Sequence, residues 1–186
     1  MRLFVGLPLS DEAKRGVAKI IKDLKRGHWP VRWEDEDKWH FTAAFLGEVD
    51  KFDRVAAAVK RGVGEIKPFE VGFKGLGAFP FLVIPKVIWL GLNGDLKTMA
   101  RLYKQVRAEL SGAGFEFEER SFMPHVTIGR VGKEAKRKQR LELGKLVAKK
   151  LQLKIPQRWQ VDRVVVYESR LSPKGSKYQV IEEINL

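Results

Sequence analysis

This chain carries the same strand twice. His40-Phe41-Thr42-Ala43 and His125-Val126-Thr127-Ile128 each lie within an apolar run, 85 residues apart (125 minus 40). Two of the only three histidines therefore occupy equivalent places. Sliding the sequence along itself by the same interval superposes Leu3-Phe4-Val5-Gly6-Leu7 on Ile88-Trp89-Leu90-Gly91-Leu92, and Leu46-Gly47 on Val131-Gly132. A unit this large is no solenoid repeat. It predicts a duplicated, bilobal α+β fold over residues 1–186, with halves near 1–85 and 86–186. Two antiparallel sheets would face a central cleft and carry their helices outside, since an alternating strand buries one face.

The segments between the repeated strands read as helices. Ser10 is a suitable N-cap for a helix whose apolar positions are Ala13, Val17, Ile20, Ile21 and Leu24, ended by Gly27. Leu96, Met99, Tyr103, Val106 and Leu110 make the matching helix of the second copy. Phe52 to Val63 has helical spacing, and a less regular partner lies within Lys136 to Leu151. Further strands are expected near Phe69 to Leu76 and near Gln160 to Tyr167. A last hairpin would turn at Ser172-Pro173-Lys174-Gly175 and return through Tyr178 to Ile184. The glycine-rich run Gly72 to Gly77 lacks the Lys-Ser/Thr ending of a phosphate loop and reads as a bent strand and loop between the lobes.

Side chains alternate across a strand, so each histidine shares a face with the threonine two residues on. Phe41, Ala43, Phe45, Val126 and Ile128 would turn to the core. The same alternation puts Arg130 opposite His125, so it reaches the site only through a bulge or bend. Imidazole titrates near neutrality, so one histidine can take a proton while the other gives one. Cleavage of a phosphodiester needs both acts. Hydroxyls of Thr42 and Thr127 can donate to the nonbridging oxygens, where charge builds in the transition state.

A net charge of +13 and a pI near 10.0 suit polyanionic partners. With no cysteine there is neither a disulfide framework nor a thiolate metal site. Two histidines without an adjacent carboxylate do not complete a zinc set, so no metal is expected. No run approaches the roughly 20 apolar residues of a spanning helix, and Met1 to Leu9 is too short for a leader. A cytoplasmic, monomeric protein without membrane contact is expected.

At these residues the chain resembles the two-histidine phosphoesterases, and most closely their 2′-5′ RNA ligase branch, the RNA 2′,3′-cyclic phosphodiesterases. The likeness rests on Arg2-Leu3-Phe4-Val5, on Trp39 to Gly47, on Met123 to Arg130, and on Glu168-Ser169-Arg170-Leu171 followed by Gly175 and Tyr178. It implies opening of a 2′,3′-cyclic phosphate on an RNA end to a 2′-phosphate, without metal or cofactor. The reverse reaction would join such an end to a 5′-hydroxyl through a 2′-5′ bond. The resemblance implies His40 as proton donor, His125 as proton acceptor, and Thr42, Thr127 and Arg130 as phosphate ligands. The two near-symmetric copies alone leave donor and acceptor interchangeable. RNA ends, tRNA fragments among them, are the implied partners. Other substrates remain open (2′-5′ oligonucleotides, small cyclic nucleotides), as does a non-catalytic module that holds RNA ends.

His28 sits in a loop and is given no role. Trp29, Trp33, Trp39, Phe79 and Phe81 are candidates for base stacking, with one or two expected at the groove. The cluster Lys133, Lys136, Arg137, Lys138 and Arg140 reads as a solvated helix start that also guides RNA.

Overall fold

A computed structural model describes residues 1–118, 121–172 and 175–186. Among them are nine strands and four helices. They run in the order β1 (Arg2–Pro8), α1 (Asp11–Lys25), β2 (Val31–Trp33), β3 (His40–Glu48), α2 (Phe52–Val63), β4 (Phe69–Pro80) and β5 (Pro85–Gly94). Then follow α3 (Leu96–Gly112), β6 (His125–Val131), α4 (Arg137–Lys149), β7 (Lys154–Val161), β8 (Arg163–Ser172) and β9 (Gly175–Asn185). The fold is mixed α+β, with two antiparallel sheets ordered β3-β1-β8-β9 and β2-β6-β5-β4-β7. None of the helices is long and apolar enough to cross a membrane.

The helices start and stop where local chemistry dictates. Ser10 Oγ accepts from the Ala13 amide at 3.2 Å, and Asp11 and Glu12 place negative charge at the N-terminus of α1. Its buried stripe is Ala13, Gly16, Val17, Ile21 and Leu24. Asp95 caps α3 by accepting from the Thr98 amide at 3.0 Å. One apolar core runs through both sheets, from Leu3, Val5 and Leu7 on β1 to Ile88, Leu90 and Leu92 on β5.

The halves of the sequence do not coincide with the sheets. β4 belongs to the first half yet sits inside the second sheet, between β5 and β7. β8 and β9 belong to the second half and complete the first sheet beside β1. The reason is local. Only residues 81–84 separate β4 from β5, so the two form a hairpin and share a sheet. The repeat boundary near residue 85 therefore falls within a hairpin rather than between lobes.

The glycine-rich run is likewise no inter-lobe loop. It is the interior of β4, kinked by a bulge between Lys74 and Leu76. Any Cβ at Gly75 would overlap the Leu151 carbonyl oxygen, so the chain passes too close for a side chain. The strand expected over Gln160 to Tyr167 is two strands. β7 ends at Val161, and after Asp162 the chain enters β8 of the other sheet. The Ser172 to Gly175 turn lies partly outside the described residues. Its flanks are in place, with Ser172 paired to Gly175 and Ser169 to Tyr178.

Candidate active site

β3 and β6 come together between the sheets and floor a cleft of about 620 Å³. His40, Thr42, His125, Thr127 and Arg130 all line it. Both strands show one burial rhythm: histidine half-buried, next residue buried, threonine half-buried, two buried residues, then an exposed one. The doubled buried step is a β-bulge. Thr42 pairs with Gly6 and Ala44 with Val5, which leaves Ala43 as the extra residue. Thr127 pairs with Trp89 and Gly129 with Ile88, which leaves Ile128 as its counterpart.

A bulge shifts the alternation by one position. Arg130 thereby reaches the cleft, by the route that its place in the motif demands. Phe45 is also turned into the cleft, against the expectation that it joins the core; Leu46 is buried instead. The motif positions Ala43 and Ile128 are buried as expected.

Each imidazole is held by the chain just before it. His125 Nδ1 lies 2.7 Å from the Met123 carbonyl oxygen, so it is the protonated nitrogen that donates. His40 makes the matching interaction with the Lys38 backbone. Its ring stacks on Phe4 at 4.8 Å and meets Tyr178 edge-on at 5.5 Å. Gly6 leaves room for it: a Cβ there would stand 3.2 Å from His40 Cδ2 and 2.9 Å from the Phe41 carbonyl oxygen. His125 is packed edge-on by Phe79 at 5.0 Å.

The aromatic setting lowers the pKa of His40 from 6.5 to about 4. Desolvation is the main cause. The hydrogen bond to Lys38 opposes it, and the positive charge of His125 adds to it. Both rings line the same cleft. Burial also raises Tyr167 to about 12 and moves Tyr178 upward, so both phenols stay neutral beside His40.

Arg130 is oriented by Glu34, whose Oε1 accepts from Nε at 2.9 Å. Glu34 is delivered by β2, which pairs with β6, and its amide donates to the Ile128 carbonyl at 2.9 Å. Its side chain is only 10% exposed. The pair uses one edge of the guanidinium and leaves the Nη groups for an anion. Glu34 and Phe45 are cleft residues that motif reading missed, and Tyr178, cited for the family likeness, also lines the cleft. Only the 85-residue register, which sets Phe45 opposite Arg130, held a clue to Phe45.

Of the five aromatics proposed for stacking, Phe79 alone lines the cleft. Trp39 is buried, Trp29 and Trp33 pack against the core, and Phe81 is exposed outside the cleft. Among the described residues, no three His, Cys, Asp or Glu side chains cluster as a metal site would require.

Two facing sheets with a pair of His-x-Thr strands at their meeting point are the architecture of two-histidine phosphoesterases. The sequence profile of the 2′-5′ RNA ligase superfamily matches residues 12–172, and the chain belongs to that family. It is 35% identical over 185 residues to a Thermotoga maritima protein named RNA 2′,3′-cyclic phosphodiesterase, covering 98% of this chain and 94% of that one. A Methanocaldococcus jannaschii protein of the same name is 30% identical, covering 98% and 99%. The fold matches the crystal structure of TT0787 of Thermus thermophilus with a TM-score of 0.77 at 22% identity, covering 100% and 98%. It also matches apo LigT of E. coli with a TM-score of 0.75 at 20% identity, covering 99% and 96%.

Proposed function

We propose that this cleft opens RNA 2′,3′-cyclic phosphate ends to 2′-phosphomonoesters by two-histidine acid–base catalysis. The carrying observation is that two bulged His-x-Thr strands bring two imidazoles, two hydroxyls and a guanidinium to one cleft. Full-length relatives that bear the name of this activity support the reading.

In the reaction, water attacks phosphorus and gives its proton to His125 Nε2. The bond from phosphorus to O3′ breaks, and His40 protonates the departing oxygen. The products are a 2′-phosphate and a free 3′-hydroxyl. The depressed pKa keeps His40 neutral in the free protein at pH 7. A phosphodiester anion beside it favours the imidazolium, so substrate binding loads the donor. Thr42, Thr127 and Arg130 hold the nonbridging oxygens. Each proton transfer contributes about 10²–10⁴-fold, and the scheme requires no metal. The same groups, with roles exchanged, would join a 5′-hydroxyl to the cyclic phosphate, which is the ligase direction.

The test is an RNA oligonucleotide with a labelled body and a 2′,3′-cyclic phosphate end, incubated at pH 7 with chelator. A 2′-phosphate product, lost on H40A or H125A substitution, is the expected result. A 3′-phosphate product, dependence on added metal, or turnover by the double variant would overturn the reading.

A further inference from the structure

The short strand β2 sets a second arginine directly against Arg130. In the β2–β6 ladder Arg32 is the partner of Arg130, and on the next strand Arg130 pairs with the cleft residue Val87. Cross-strand partners share a sheet face, so Arg32 stands on the cleft side. Its two neighbours in β2 take the other face. A Cβ at Gly129 would lie 2.7 Å from Val31 Cγ1 and 2.9 Å from Trp33 Cε3, and both side chains pack against the core. The two arginines are therefore about 4.5–5.5 Å apart at Cα. Like charges set directly opposite each other destabilise a ladder, and a bound anion relieves that repulsion.

Only one member of the pair is neutralised within the protein. Glu34 accepts from Arg130 Nε at 2.9 Å. Among the described residues no carboxylate forms an ion pair with Arg32, whose side chain is exposed. A charge on an edge strand also discourages pairing with another chain. That role leaves unexplained why Arg32 reaches the opposite sheet. A Cβ at Gly175, at the tip of the β8–β9 hairpin, would stand 3.3 Å from Arg32 Nη1. The glycine leaves the guanidinium room there, at the mouth of the cleft.

Arg32 lies outside the ring of residues that line the cavity, so its anion is not the phosphate held between the histidines. A terminal cyclic-phosphate nucleotide joins the rest of its chain only through the phosphodiester on its 5′ oxygen. That linkage is the next anion an RNA end presents beyond the cavity. Resting on the phosphodiesterase reading, we infer that Arg32 binds the phosphodiester on the 5′ side of the terminal nucleotide. Arg130 and Arg32 then hold two successive phosphates of one strand, and the site selects chain ends over free nucleoside cyclic phosphates.

The test uses two diadenosine substrates that end in the same 2′,3′-cyclic phosphate. One has an ordinary phosphodiester linkage, and the other has a neutral methylphosphonate in its place. The quantity read is the ratio of kcat/KM between them, with Kd values of the corresponding 2′-phosphate compounds as a second readout. The wild type is expected to favour the charged linkage roughly tenfold, as a hydrogen bond to a charged group would give. R32Q brings the ratio close to one, whereas R32K keeps part of it. The slope of log kcat/KM against log salt for the charged dinucleotide should fall by roughly 0.7 in R32Q. An unchanged ratio in R32Q, or an equal loss on both substrates as an edge-guarding or structural role would give, overturns the assignment. Absence of wild-type turnover on both dinucleotides overturns the phosphodiesterase reading instead, and the Kd ratio then still decides the role of Arg32.

Discussion

A histidine kept neutral by its surroundings makes the protein less stable in acid, and His40 gives that effect a size. In the unfolded chain its imidazole titrates near 6.5; in the fold it does so at about 4. Above pH 6.5 the ring is neutral in both states and contributes nothing pH-dependent. As pH falls from 6.5 to 4, the unfolded chain binds a proton that the native state refuses, so stability is lost through that window. Between pH 7 and pH 5 this single group removes about 2 kcal/mol, and about 3 kcal/mol by pH 4. For a chain of this size, 2 kcal/mol corresponds to a Tm decrease of about 4–8 °C. His40→Gln abolishes the titration while keeping a polar side chain with a donor of similar reach. Thermal or urea unfolding of both proteins at pH 7 and pH 5 reads the difference directly. The wild type should lose about 2 kcal/mol more than the variant. Parallel losses would mean that Phe4, Tyr167 and Tyr178 do not desolvate the ring.

Two kinetic predictions draw on the same geometry. On the proposed acid–base scheme kcat/KM should be bell-shaped in pH, and the ionisation of His40 in the free protein should enter the profile at about 4 rather than near 6.5; a profile whose acidic ionisation lies only near 6.5 would contradict the shift. Loosening Arg130 by Glu34→Gln should raise KM for an RNA end several-fold while sparing kcat, and R130Q should do more, as steady-state kinetics will show; a selective fall in kcat would place Glu34 in the chemistry instead.

Much of the site was legible because its elements are local. A histidine and a threonine two apart in an apolar run share a strand face wherever the strand goes, and the 85-residue register doubled the signal. Ser10 and the stripe from Ala13 to Leu24 specified α1 for the same reason. Strand pairing is not local. Nothing in residues 69–80 says that they will lie between β5 and β7, or that Asp162 marks a change of sheet. The bulges at Ala43 and Ile128 were equally hidden, since each exists only against its partner strand. They decide which residues face the cleft: strict alternation lost Phe45 and reached Arg130 only by supposing a bulge. Glu34 was out of reach because its role depends on β2 docking beside β6, 96 residues before Arg130.

The pairing of the two imidazoles about one phosphorus atom is tested most directly by a crystal structure with a 2′-phosphorylated nucleotide bound. A single phosphate is expected, with His40 and His125 Nε2 each roughly 2.6–3.2 Å from different oxygens of it, and with Thr42 and Thr127 hydroxyls on the remaining ones. A phosphate held by one histidine alone, or seated outside the cleft, would contradict it.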